Sequence, residues 1–138
     1  MSRVQNWRVN YENLIDAIRR KPFAWGYVDC LTGLVDPAVQ ALTGEEPFSR
    51  FRARYKTARG ALGIMRRSGF DNLANLVASE LPEIHPSQCV VGDIVAIPTD
   101  DDFAYALGVV NGDRVFVISP EGLSTRDISE AVRAFKVG

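Results

Sequence analysis

Cys30 is the residue of this sequence best placed to do chemistry. It lies in PFAWGYVDCLTGLV, residues 22–35, directly after Asp29 and at the head of an apolar run. Asp is a favoured N-cap, so a helix is predicted to begin at Cys30. A thiol at a helix N-terminus faces backbone N–H groups without intrahelical partners and the positive end of the helix dipole. That setting favours thiolate, the form that attacks a carbonyl, and the same N–H groups can hold an oxyanion. The competing reading is a small buried hydrophobe, a common role for a free cysteine. The sulfur alone does not cleave an amide. The leaving amine needs a proton, normally from a histidine paired with the thiol.

The other groups with chemical potential are few. The single histidine, His85, stands between Pro82 and Pro86 in a predicted exposed loop, and the second thiol, Cys89, sits just ahead of a predicted strand, where it is read as a filler. Two cysteines without CxxC spacing make neither a disulfide framework nor, with one histidine, a grouped zinc site. No metal and no cofactor is expected. Tyr105 and the run Asp100-Asp101-Asp102 offer further polar groups. Near neutral pH a tyrosine is a poor base and a carboxylate a poor acid.

The elements that must position these residues follow from periodicity. A first helix is predicted over about residues 11–20, capped by Asn10, with Tyr11, Leu14, Ile15 and Ile18 on one face. The helix from Cys30 buries Leu31, Leu34, Val35, Ala38, Val39 and Leu42 and stops at Gly44. Pro37 must kink or split it, with Asp36 capping the second half. Thr57 caps a helix to about Arg67, ended by Gly69, and Asp71 caps another to about Glu80. Strands are predicted at 90–97, 105–110, 115–118 and 123–126, the middle two joined across Asn111-Gly112-Asp113. A last helix is predicted over 129–134, with 135–137 returning to the sheet edge. Helices first and strands afterwards read as α+β, helices packed on a small antiparallel sheet. A chain of 138 residues fits one domain, 1–138, with a helical half over about 8–80 and a sheet half over about 88–138.

Three motifs in order carry a resemblance. Pro22-Phe23-Ala24-Trp25-Gly26 with Asp29-Cys30 and Gly33-Leu34-Val35, then Gly92-Asp93-Ile94-Val95, then Leu107-Gly108-Val109-Val110 before Asn111-Gly112, resemble the NlpC-type papain-like cysteine peptidases that cut peptidoglycan stem peptides. The segment FRARYKTARGALGIMRRSG, residues 51–69, resembles a small branch encoded among tail-tip genes of long-tailed phages, prophages and gene transfer agents. The resemblance implies a papain-like fold with Cys30 at the nucleophile position. It puts the histidine position at Ala106, which can neither take nor give a proton, and the orienting position near Ser119. The implied protein is a structural part of a phage tail tip or baseplate, located in the virion. Its expected partners are other tail-tip or hub proteins, and peptidoglycan is a possible contact. The alternative is an active peptidoglycan endopeptidase that aids phage DNA entry.

Charge is unevenly placed. Residues 47–70 carry seven basic side chains, Arg50, Arg52, Arg54, Lys56, Arg59, Arg66 and Arg67, and no acid, whereas residues 71–138 carry a net −7. This is read as a docking surface, against the plain alternative of a solvated helical face. The overall net charge of −1 argues against nucleic acid as the partner, since phosphate neutralisation dominates such binding. No apolar run reaches the length of a membrane span. The start, MSRVQNWRVN, lacks a signal-type apolar core, so synthesis in a reducing cytoplasm is expected.

Overall fold

Alternation along the strands gives the sheet two buried faces. The computed structural model describes residues 1–138. Six strands, β1 (Glu83–Ile84), β2 (Ile94–Pro98), β3 (Tyr105–Asn111), β4 (Arg114–Ser119), β5 (Gly122–Asp127) and β6 (Arg133–Phe135), pair antiparallel in the order β1-β6-β2-β3-β4-β5. Ile94, Ala96, Leu107, Val109, Phe116, Ile118 and Phe135 face the helices and join the main core. Val95, Ile97, Val110, Val115, Val117 and Ala134 form a smaller cluster on the other face, covered by Ile84, Cys89, Ile128 and Ala131 from the loops. Cys89 is half-buried there, in line with its reading as a filler. The architecture is α+β, as expected.

The helices occupy one face. α1 (Trp7–Ile18) begins earlier than its periodicity predicts, because Asn10 does not cap it: the Asn10 Nδ2 donates to the Ala41 carbonyl (3.0 Å). Tyr11, buried under α1, donates its hydroxyl to the Val110 carbonyl (3.1 Å) and ties the helix to β3. The helix expected from Cys30 is split, as Pro37 requires. Cys30–Val35 form a π-helical turn that runs into α2 (Asp36–Thr43), which Gly44 ends in the left-handed conformation (φ 83°). A proline clashes with the carbonyl four residues back, and the wider π turn relieves that clash. Asp36 does not cap the second half; its carboxylate instead accepts the Phe48 N–H (2.8 Å).

α3 (Ala58–Arg67) starts as predicted, with Thr57 accepting the Gly60 N–H (3.0 Å). α4 (Leu73–Ala78) is capped by Asn72, which accepts the Asn75 N–H (2.8 Å), and not by Asp71. The predicted last helix is absent. Ile128–Glu130 make one 3-10 turn, and β6 then inserts between β1 and β2. Interior pairing outweighs the weak helix pattern of Ser129–Ala134, and Ala134 and Phe135 are fully buried.

Asp93 closes the fold. Gly92, in the left-handed region (φ 93°), turns the chain so that the Asp93 side chain enters the core. Its carboxylate accepts the backbone N–H groups of Val90 (2.9 Å) and Val137 (3.0 Å) and pairs with the Arg3 guanidinium (3.0 Å). Arg3 also donates to the carbonyls of Val91 (2.7 Å) and Val137 (2.8 Å). One carboxylate therefore fastens both ends of the chain to β2. Removing one partner of a buried pair leaves a charge uncompensated. Arg3→Ala is predicted to lower the unfolding free energy by about 3 kcal/mol in chemical denaturation. In the double variant Arg3→Ala/Asp93→Asn, the loss is predicted to be smaller than the sum of the single losses.

Candidate functional site

Asp29 organises the region around Cys30. Residues 24–28 make a tight turn, with Val28 N–H donating to the Ala24 carbonyl (2.7 Å) and Ala24 N–H to the Val28 carbonyl (3.1 Å). That turn aims the Gly26 N–H at Asp29 Oδ2 (2.9 Å), where the Tyr55 hydroxyl also donates (2.7 Å). The other oxygen, Oδ1, accepts the N–H groups of Leu31 (3.0 Å) and Thr32 (2.8 Å) and the Thr32 hydroxyl (2.9 Å). Five donors thus converge on a carboxylate that is 2% exposed. Gly26 is required here: a Cβ would lie 2.3 Å from the Tyr55 carbonyl oxygen, and its φ is 84°.

This network changes the chemistry expected of Cys30. Two N–H groups of the helix start, predicted to stabilise a thiolate or an oxyanion, are bonded to Asp29. Burial, and then the negative charge of Asp29, push the thiol pKa up to about 12 from an ordinary 9.0, against smaller opposing effects from the N–H groups of Leu107, Leu31 and Cys30. Both effects favour the protonated thiol, the form that does not attack a carbonyl, and so favour the inert-thiol reading of Cys30 over an activated thiolate. Tyr55 is no substitute base: burial first, and then the adjacent Asp29 charge, hold its hydroxyl well above the usual range.

The three positions singled out in the sequence do meet. Cys30, Ala106 and Ser119 line one cavity of about 220 Å³. Cys30 comes from the π turn, Ala106 from β3 and Ser119 from the end of β4. Leu107, next to Ala106, directs its backbone N–H toward the sulfur. Ser119 Oγ donates to Glu121 (2.8 Å), so it orients nothing in the cavity. No histidine lines the space. His85 is exposed on the loop after β1, where its Nδ1 accepts the Ser87 N–H (3.1 Å).

The walls are mostly apolar, and sequence reasoning missed several of them. Trp25 meets Phe23 edge to face (4.9 Å between centroids) and stacks near-parallel with Phe103 at 6.2 Å. Phe103 and Tyr55 went unnoticed because no local period marks them; Tyr55 finds Asp29 from 26 residues away. The only available signal was that Phe51 and Tyr55 interleave with the basic residues. An engineered apolar cavity of about 150 Å³ holds a benzene, so this one has room for a ring or a branched aliphatic group.

The basic residues lie outside the cavity. Arg50 pairs with Glu80 (3.1 Å), and the Arg52 guanidinium lies 6.0 Å from the Tyr27 ring centroid. Arg54, Lys56, Arg59, Arg66 and Arg67 are exposed and join no ion pair. No three His, Cys, Asp or Glu side chains group as metal ligands, and no helix is long and apolar enough to cross a membrane.

The raised thiol pKa is a stability statement with a definite sign. The folded state holds the proton more tightly than the unfolded chain, so this contribution is complete below about pH 9 and is lost as pH rises toward about 12. Wild type is therefore predicted to lose more stability than Cys30→Ala across that window, measured by urea denaturation. Equal slopes for the two proteins would show that the thiol is not perturbed.

Searches of curated proteins and of solved structures each give no match. One family, described as a domain of unknown function (DUF6950), matches residues 2–137, nearly the whole chain. On that match the chain belongs to the DUF6950 family.

Proposed function

We propose that this chain is a catalytically silent NlpC-type, papain-like module that serves as a structural component of a phage tail tip or baseplate. The observation that carries the reading is the pairing of a retained sulfur with a missing proton carrier. Cys30 heads a helical segment packed on an antiparallel sheet, and Ala106 stands beside it where the resemblance places a histidine. Loss of the general acid–base costs about 10²- to 10⁴-fold in rate. Burial and the Asp29 charge also favour the protonated thiol, which weakens Cys30 as a nucleophile.

The tail-tip assignment rests on the resemblance of residues 51–69 to the phage and gene-transfer-agent branch. It is supported by the exposed, unpaired cations of that segment, which offer a face for docking. The partners are then other tail-tip or hub proteins, the location is the virion, and no cofactor takes part.

Zymography on purified peptidoglycan tests the reading against the endopeptidase alternative. Wild type is predicted to leave the wall intact, matching Cys30→Ala. Clearing by wild type that disappears in Cys30→Ala would overturn the proposal and establish a working hydrolase.

A further inference from the structure

The basic segment lends apolar side chains to the cavity wall, but none of its cations lines the cavity. Six aromatic side chains and two carboxylates line the cavity, and no Lys, Arg or His does. Asp29 is saturated by its five donors. Asp101 is not: it is exposed, and only its Oδ1 is engaged, by the Thr99 hydroxyl (2.9 Å) and the Phe103 N–H (3.0 Å). Its neighbours Asp100 and Asp102 are exposed, and none of the three joins an ion pair. An aromatic wall beside a free carboxylate suits a planar cation with an apolar stem, that is, a guanidinium.

The chain supplies such groups but keeps them from its own cavity. On α3, Ala61, Ile64 and Met65 line the cavity. Arg59 and Arg66 lie on the far face of that helix, given its turn of about 100° per residue. Both are exposed and unpaired. A cationic ridge and an anionic aromatic mouth therefore coexist without the means to satisfy each other within one molecule. The net charge of −1 sets up little repulsion between copies.

We propose that the protein assembles head to tail, the Arg59/Arg66 ridge of one copy docking on the Asp100–Asp102 mouth of the aromatic cavity of the next. The two surfaces differ, so the contact is heterologous and builds a ring or an open series in place of a closed two-fold dimer. This deepens the structural reading above and rests on it, by naming a second copy as one occupant of the vestigial site. Exposed ion pairs are individually weak, so the association is salt-sensitive.

Sedimentation equilibrium tests it directly. At about 20 mM salt the average mass of wild type is predicted to rise above the monomer with concentration, and at about 0.5 M salt, where screening is short-ranged, to return to it. Arg59→Glu/Arg66→Glu and Asp100→Lys/Asp102→Lys are each predicted to stay monomeric at low salt. Their equimolar mixture is predicted to regain the wild-type mass, because each altered face then meets its complement. All four positions are exposed, so folding is not at stake, and circular dichroism melting checks this. A wild type that stays monomeric, variants that associate unchanged, or a mixture that stays monomeric would each overturn the proposal. Zymography separates the two readings. A monomer without hydrolase activity removes head-to-tail docking alone, whereas wall cleavage removes the structural reading beneath it.

Discussion

A single carboxylate with no cation against it sets the character of this molecule. Asp29 is buried among five donors drawn from the 24–28 turn, the first residues of the π turn and Tyr55 in the basic segment. Buried polar groups have to be satisfied, and leaving a donor unpaired costs more than a typical bond gains. Asp29 therefore fixes the turn, the start of the helix and the 51–57 loop relative to one another. The same act removes the electrostatic asset for which a cysteine at a helix start is useful. N–H groups that would otherwise hold negative charge on a ligand hold it on the protein's own side chain.

Strain gathers around the same cavity. The only non-glycine residues in the left-handed region are Ala53 (φ 62°) and Ala104 (φ 67°). Ala53 follows the cavity-lining Phe51 and donates its N–H to the Gly26 carbonyl (2.9 Å). Ala104 lies between Phe103 and Tyr105, with its N–H on the Asp101 carbonyl (3.0 Å). Such a conformation costs roughly 1–2 kcal/mol per residue and persists where surroundings enforce it. Here the enforcing bonds run to the turn that presents Gly26 to Asp29 and to the acidic loop at the cavity mouth. Backbone strain thus sits beside the cavity that Cys30, Ala106 and Ser119 line.

Local chemistry made much of the fold readable. Asp29, Thr57, Gly44 and the Asn111-Gly112 turn act through bonds or torsions confined to a few residues, and each stands where the pattern placed it. Features decided by distant contacts did not show. β1 has two residues and exists only because β6 pairs with it; the sequence pattern put Arg133 and Ala134 in a helix and Phe135 at a sheet edge, whereas all three form an interior strand. Asn10 was drawn from its expected capping role by the Ala41 carbonyl. The meeting of Cys30, Ala106 and Ser119 came from ordered motifs and not from any spacing rule. The sequence showed Asp29 only as a helix signal, whereas in the fold burial first and then the Asp29 charge raise the thiol pKa.

An inert scaffold requires that the Cys30 sulfur stay protonated in the folded protein. A pH titration of the ¹³Cβ resonance of Cys30, selectively labelled in a Cys89→Ser background, reads it directly. The resonance is predicted to hold its thiol position through neutral pH and to move only at strongly alkaline pH, toward a midpoint of about 12. A transition to thiolate near or below neutral pH would mean that a cation or an imidazole serves the sulfur after all, and the inert-scaffold account would fail.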